Sequence, residues 1–413
     1  NGLVGSSAVM TGTIENLGND WYRGIATYSS VLDVVSLRIS IAESSTSARL
    51  VSFSGNDSDG LYIWGTQLEI GSQATTYIPT TDRLNVPRLD YTGGGCPHIL
   101  AEPQSTNLNF NYNLLVANGA GAVALNNAIS PDGTQNATKL TFGANLNDGA
   151  LLKVGGSTCV ASTVYTFSFY AKSVVGDGQC NLRIDTDTSS VLVSQDFTTT
   201  TSWARYTHTF TSDGGASSFG SNSRFRKVTA SNEILFYGMQ LEKLSYSTSV
   251  IPTSGSTVTR NKDVFERTGI ADLINSTEGV LYAEIAALAN DGTIRYLSLN
   301  DGTADNRVTI LYSSSSNNIR AIVSSGNTEY MDKNSSVTDA TDFHKVAVKW
   351  KVNDFALWID GTEVATDTSG SAPIGLNTLS FDIAGVGYLY GKVRNLQVYK
   401  TALTDPQLTS LTT

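Results

Sequence analysis

The sequence predicts an all-β protein: tandem antiparallel β-sandwich (jelly-roll) modules with very little helix. Three observations predict it. Helical periodicity is nearly absent, and short stretches alternate apolar and polar residues between clusters of Gly, Asn, Asp and Ser, the pattern of half-buried antiparallel strands. Only 15% of residues are charged, against about 25% in an ordinary soluble domain, so polarity comes from Ser, Thr, Asn and 37 Gly. One strand-and-loop motif also occurs twice, the mark of a repeated module.

Taken in chain order, residues 1–90 form a partial sandwich. Trp21-Tyr-Arg-Gly-Ile-Ala-Thr-Tyr28 opens a strand, and Gly60-Leu-Tyr-Ile-Trp-Gly-Thr-Gln-Leu-Glu69 is followed by Thr76-Tyr-Ile-Pro-Thr80. Most of a sandwich's front half is missing before residue 69, which would leave open sheet edges. Either a longer native protein or strands from another chain would close them. The opening Asn1-Gly-Leu-Val-Gly5 has neither an initiator Met nor signal-peptide regions and reads as a fragment or a chain whose true start is missing. Residues 91–108 form a Gly/Pro linker segment, Tyr91-Thr-Gly-Gly-Gly-Cys-Pro-His-Ile-Leu-Ala-Glu-Pro-Gln-Ser-Thr-Asn-Leu108, too apolar at Ile99 and Leu100 to hang free and expected to pack on a neighbour.

Residues 109–262 form a complete copy of the module. Tyr165, Phe167 and Phe169 alternate with Thr166, Ser168, Tyr170 and Lys172. Trp203-Ala-Arg-Tyr-Thr-His-Thr-Phe210 matches the first copy's Trp-led strand, and Glu233-Ile-Leu-Phe-Tyr-Gly-Met-Gln-Leu-Glu242 with Ser249-Val-Ile-Pro-Thr253 matches its motif without a gap. Residues 263–413 form a third, unrelated sandwich. Val346, Val348 and Trp350 alternate with lysines, Asn353-Asp354 turns the chain into Phe355, Leu357 and Ile359, and Asp360-Gly361 and Asp291-Gly292 are further turns. Asp405 caps a short final helix, with Pro406 at its first position.

The Tyr91–Leu108 segment and the paired Gly-x-Gln-Leu-Glu…Ile-Pro-Thr motifs resemble a signature of bacteriophage virion proteins associated with tails or fibres. In those proteins it joins modules similar to the β-sandwich carbohydrate-binding modules of polysaccharide-degrading enzymes. The third unit is similar to laminin-G and concanavalin-A-like jelly rolls, through His344-Lys-Val-Ala-Val348, Leu357-Trp-Ile-Asp-Gly361 and Val393-Arg-Asn-Leu-Gln-Val-Tyr399. The resemblance implies a virion surface protein with lectin-like modules, a homo-oligomer and most often a trimer. Its partners would be other virion proteins, reached through a missing N-terminal region, and bacterial surface polysaccharide. It carries over no catalytic residue.

Composition and motifs narrow the chemistry further. With 27 basic and 37 acidic residues the net charge is −10, and no Lys/Arg cluster stands out, so nucleic acid is not an expected partner. No run approaches the ~20 apolar residues of a membrane-spanning helix. Three cysteines, Cys96, Cys159 and Cys180, are too few for a disulfide framework, and Cys159 and Cys180 are expected reduced and buried. His98, His208 and His344 are scattered outside any metal motif, no Gly-x-Ser-x-Gly elbow exists, and a strand follows the phosphate-loop lookalike Gly385–Lys392. Asp185 and Asp187 could serve glycoside hydrolysis but are expected in solvent on a strand's outer face. The chain is therefore expected not to be an enzyme and to need no cofactor. Structural calcium stays open at Asn56–Gly60 and Asn300–Asn306, whose oxygen donors are also what tight turns prefer.

Sugar binding would rest on aromatic faces and fixed polar groups. Trp64 and Tyr237 occupy equivalent places in the two copies, where the simpler reading is that they close a strand buried on both faces. Trp21 and Trp203 are expected in cores. Trp358 faces away from Phe355, Leu357 and Ile359, and so is either a ligand platform or a chain–chain contact. Tyr170 and Arg183 lie on outer faces. With the resemblance, the expectation is a phage structural component displaying glycan-binding modules. The alternatives are an accessory region of a secreted polysaccharide-degrading enzyme and a spacer with no ligand.

Overall fold

The computed structural model describes residues 10–18, 21–28, 65–66, 88–90, 97–215, 217–228 and 233–413, which belong to two compact units, Asn1–Thr80 and Thr81–Thr413. In the first unit an antiparallel hairpin pairs Met10–Gly18 with Trp21–Tyr28. Gly18 takes a φ of 82° at the turn, and its N–H donates to Asn16 Oδ1 at 2.8 Å. Trp21 is 45% exposed. It is not the core residue the sequence predicts: it opens its strand opposite Gly18, and among the described residues one strand pairs with it. Trp64, Gln67–Glu69, Thr76–Thr80 and the Asn56–Gly60 loop lie outside the described residues, as does Cys96.

The second unit contains two sandwiches built from antiparallel sheets. The middle module's first sheet runs Ala204–Thr211, Val164–Ser173, Ile234–Glu242, Ala137–Thr141, Ala122–Ala128. Its second runs Val191–Thr199, Gly178–Asp185, Arg224–Lys227, Gly149–Leu151, Val116–Asn118. Alternation places Tyr165, Phe167 and Phe169 in the core with Leu182, Ile184 and Phe225 of the opposite sheet. Phe225 and Phe236 stack across the gap at 4.3 Å between centroids. Cys159 and Cys180 are free thiols buried in this core. Trp203 is only half-buried, with the Lys172 ammonium 5.3 Å from its ring centroid. It precedes an edge strand, and among the described residues no further strand pairs beyond that edge.

The C-terminal sandwich has a six-stranded sheet from Glu266–Arg267 to Thr328–Ser336 and a seven-stranded sheet. The latter runs Thr362–Asp367, Phe355–Ile359, His344–Lys351, Glu278–Ala287, Gly391–Tyr399, His98–Ala101, Arg88–Asp90. Its last two strands correct the boundaries drawn from sequence. Arg88–Asp90 and His98–Ala101 are not the end of one module and a linker; they complete the C-terminal sheet, Ile99 pairing with Val393. The middle module is therefore inserted into the C-terminal one. Its entry and exit pair as a two-stranded neck, Ser105–Asn107 with Val258–Arg260. The final helix, Asp405–Thr412, starts one residue earlier than predicted: Thr404 is the N-cap and its N–H donates to Gln407 Oε1 at 2.9 Å. Among the described residues no helix is long and apolar enough to cross a membrane.

A buried ion cluster fastens the neck. Arg88 Nη2 lies 2.7 Å from Glu102 Oε2 and also pairs with Asp263, while Arg260 pairs with the same Glu102 oxygen. Glu102 Oε1 accepts the Ser249 N–H at 2.8 Å, and Asp263 Oδ2 accepts the Glu102 N–H at 2.8 Å. Burial alone would raise the Glu102 pKa, but Arg260 and Arg88 outweigh it and hold the carboxyl below its usual range. Glu102→Ala strands the buried Arg260 guanidinium, takes from Arg88 one of its two carboxylates, and should cost about 3–5 kcal/mol in urea unfolding of the full chain. Because the folded pKa is depressed, this contribution is complete above the ordinary carboxylate value of 4.5 and is lost as pH falls through the folded pKa. A pH series of urea midpoints should show that loss in the parent and not in the variant.

Candidate functional site

Hairpin geometry in the C-terminal sandwich builds a cleft. Asn353, with a φ of 57°, turns His344–Lys351 back into Phe355–Ile359. Asp360 and Gly361, with φ of 47° and 81°, then form a two-residue turn into Thr362–Asp367. Asp tolerates that left-handed conformation better than most side chains. The turn aims the Asp360 carboxylate back at its neighbour strand: Oδ1 accepts the Lys345 N–H at 2.9 Å, and Oδ2 lies 2.6 Å from His344 Nδ1. His344 Nε2 donates to the Asp339 carbonyl at 2.9 Å, so the ring is held at both nitrogens.

Beside this pair opens a cleft of about 280 Å³. Ile359 and Val364 supply apolar surface, Ser336, Thr338 and Thr362 supply hydroxyls, and Asp360 supplies a charge. An apolar floor with a few fixed polar groups is what a saccharide ring needs, since one face presents C–H groups and its rim presents hydroxyls. The His344–Asp360 pair was legible in principle. Counting outward from the Asn353 turn, Lys349 faces Ala356 and Val346 faces Ile359, which brings residue 360 beside 344 and 345.

The sequence-predicted residues are dispersed. Trp358 is 5% exposed and packs with Val280, Tyr282, Ala347 and Leu408 beneath the C-terminal helix. It is neither a platform nor a free contact face, because the chain's own helix covers the side of the sheet that the strand pattern leaves bare. Tyr237 is 6% exposed. Its strand is buried on both faces, its hydroxyl donates to Asp132 Oδ2 at 3.0 Å, and Tyr112 meets its ring edge-on at 5.8 Å. Tyr170 is half-buried beside it, ring centroids 6.0 Å apart, with Arg205 stacked over Tyr170 at 5.5 Å. These two are the only pair of sequence-predicted candidates that the described residues bring together. Arg183 lies on the opposite sheet, its Nε 2.8 Å from Asp185 Oδ1. That ion pair explains why Asp185 is 2% exposed and not solvated as expected.

In the second copy the repeated motif is a fastening, not a site. Gly238 has a φ of 65°, as does its counterpart Gly65, and marks a bulge that turns Tyr237 outward and Met239 inward. Gln240 Oε1 accepts the Ile251 N–H at 2.7 Å, Glu242 Oε1 accepts the Ser105 hydroxyl at 2.6 Å, and the Thr253 hydroxyl donates to the Asn109 carbonyl at 2.7 Å. In the Asn300–Asn306 loop, Asp301 is engaged by Thr303 and Asn306. No three of His, Cys, Asp and Glu converge as a metal site among the described residues.

Residues 280–409 match the family model of the concanavalin A-like lectin/glucanase superfamily. No curated protein matches the chain. Similar solved structures include the CBM40 of Ruminococcus gnavus IT-sialidase bound to α2,3-sialyllactose, at 18% identity, covering 34% of this chain and 84% of that one with a TM-score of 0.30. The CBM22-1 xylan-binding domain of Paenibacillus barcinonensis Xyn10C gives 14%, 36%, 99% and 0.28 in the same terms. Domain 4 of AbnA, an extracellular arabinanase of Geobacillus stearothermophilus, in complex with arabinotriose gives 13%, 41%, 81% and 0.29.

Trp358→Ala should cost about 3–5 kcal/mol in denaturant unfolding while leaving ligand binding unchanged. Five hydrogen bonds, from Ser130, Thr134 (backbone and hydroxyl), Asn136 and Tyr237, hold Asp132. Burial pushes its pKa up, but these donors bring it down to about 2. Its contribution is therefore complete above about pH 3.8 and fades only toward pH 2. Tyr237→Phe removes one donor and should cost about 1 kcal/mol at neutral pH by urea titration.

Proposed function

We propose that the chain is a non-catalytic carbohydrate-binding protein whose C-terminal sandwich takes a saccharide in the His344–Asp360 cleft. The observation that carries this is the coincidence of that cleft, with its hydroxyls and apolar floor, with the segment matching a lectin-containing family. We further propose a setting: a structural component of a phage virion, in the tail fibre, a tail-associated part or a head decoration. It would sit on the virion surface, self-associate as a trimer and attach to bacterial surface polysaccharide. The Gly-Gly-Gly-Cys-Pro segment and the paired Gln-Leu-Glu motifs support this setting. Several weak sites on one oligomer gain strength from their mutual effective concentration. The matched family also includes glucanases, which favours as second reading an accessory module of a polysaccharide-degrading enzyme.

The test is binding of fluorescently labelled full chain to intact bacteria, with extracted surface polysaccharide as competitor. Binding should saturate and be abolished by the competitor. Ser336→Trp, which fills the cleft, should weaken it at least tenfold with an unchanged melting temperature. Undiminished binding by a folded Ser336→Trp chain would move the site elsewhere. Antibody labelling of purified particles separates the virion setting from the enzyme one.

A further inference from the structure

Three arginines share the outer face of the middle module's second sheet, on the side of the sandwich away from Tyr170 and Tyr237. Leu182 and Ile184 point inward, which turns Asn181, Arg183 and Asp185 outward; Phe225 points inward, which turns Arg224 and Arg226 outward. Strand register sets Arg183 directly opposite Arg224, and Asn181 opposite Arg226.

Two of the three are engaged by neighbours. Arg183 Nε reaches both Asp185 oxygens, at 2.8 and 3.0 Å. Arg226 Nε donates to Asn181 Oδ1 at 2.7 Å and Nη2 to Ser194 Oγ at 3.1 Å. Arg224 differs. Its Nε is buried without a hydrogen-bond partner, and its Nη1 makes only a long 3.4 Å bond to the Asn222 carbonyl. Among the described residues it has no ion pair. Like charges facing each other on adjacent strands destabilise a sheet, and a buried unpartnered donor adds to that cost. Burial first, then Arg183, lower the Arg224 pKa; the Asp185 carboxylate opposes this in part, and Arg226 adds to the lowering. In a chain of net charge −10 this face carries three guanidinium groups against two carboxylates, Asp185 and Asp196. The face continues as an aliphatic strip: Leu151 lies opposite Arg224, and Val116, 37% exposed, lies opposite Leu151.

We infer that this face binds the carboxylate-bearing rings of an acidic polysaccharide, with Arg224 gripping the carboxylate and the Leu151–Val116 strip lying under the ring. A guanidinium pairs a carboxylate through parallel hydrogen bonds, which would give short acceptors to the one arginine of the trio that makes no short hydrogen bond to its neighbours. The aliphatic strip distinguishes a sugar, with its C–H face, from a bare anion. The site is separate from the cleft of the C-terminal sandwich and takes a ligand of different charge.

Biolayer interferometry of the full chain tests it on three immobilised polymers: polygalacturonate, the same polymer fully methyl-esterified, and polyglutamate. Binding to polygalacturonate should exceed that to either other polymer at least tenfold and should fall as salt is raised. Arg224→Gln should lose at least tenfold without lowering the melting temperature, since it removes an unpaired charge. Val116→Asp should weaken binding through repulsion on the same strip, whereas Ser336→Trp should leave it unchanged. Equal binding to the ester or to polyglutamate, or undiminished binding by Arg224→Gln, overturns the assignment. An Arg224→Gln chain that melts below the parent assigns the residue to the fold and also overturns it.

Discussion

A carboxylate held between two guanidinium groups ties the larger unit together. Glu102 meets Arg88 from the edge of the C-terminal sheet and Arg260 from the exit strand of the inserted module, while Asp263 closes the set from the other side of the neck. Burying such charges is costly, and an apolar cluster of equal volume would often be at least as stable. What the ions add is direction. An apolar neck could slide or rotate, whereas here Glu102 and Asp263 must meet their guanidinium partners, which ties the direction of the inserted module to the edge of the sheet.

The same logic accounts for the conspicuous short motifs. Asn107 Oδ1 accepts the N–H groups of Leu241 and Asn109, and its amide donates to the Ile251 carbonyl. Gln240 and Glu242 complete the same buried polar layer from the strand behind it. The segment around Asn107 and the Gln-Leu-Glu…Ile-Pro-Thr stretch are therefore two halves of one lock. In the second copy this lock closes the module and seats it. The residues that could face a ligand, Tyr170 and Arg224 among them, lie outside the lock.

What could be read from the sequence was local. Alternation placed Phe167 and Phe169 inward, and the turns at Asn353 and Asp360-Gly361 stand where their residue types require them. What could not be read depends on chain segments far apart. Trp358 looked exposed because its cover, Leu408, arrives fifty residues later on a helix packed across the sheet. Ile99 and Leu100 were apolar enough to demand a neighbour but could not name Val393 and Lys392 as their partners. The arginine face is formed by pairing Arg183 with Arg224 across two intervening strands and their loops, so neither residue alone signals a site. Between these extremes sits the His344–Asp360 contact, which follows from hairpin counting.

Insertion of the middle module has a mechanical consequence. Its first and last strands leave side by side through the Ser105–Asn107 and Val258–Arg260 ribbon, so it hangs from the C-terminal sandwich like a side branch. A pull applied between residue 88 and the C-terminus is passed from strand to strand within the seven-stranded sheet, and enters the branch only after the ribbon and its ions have been unzipped. The branch is thus shielded from tension while the stem carries it, and a surface exposed on the branch keeps its shape under loads that already strain the rest of the chain.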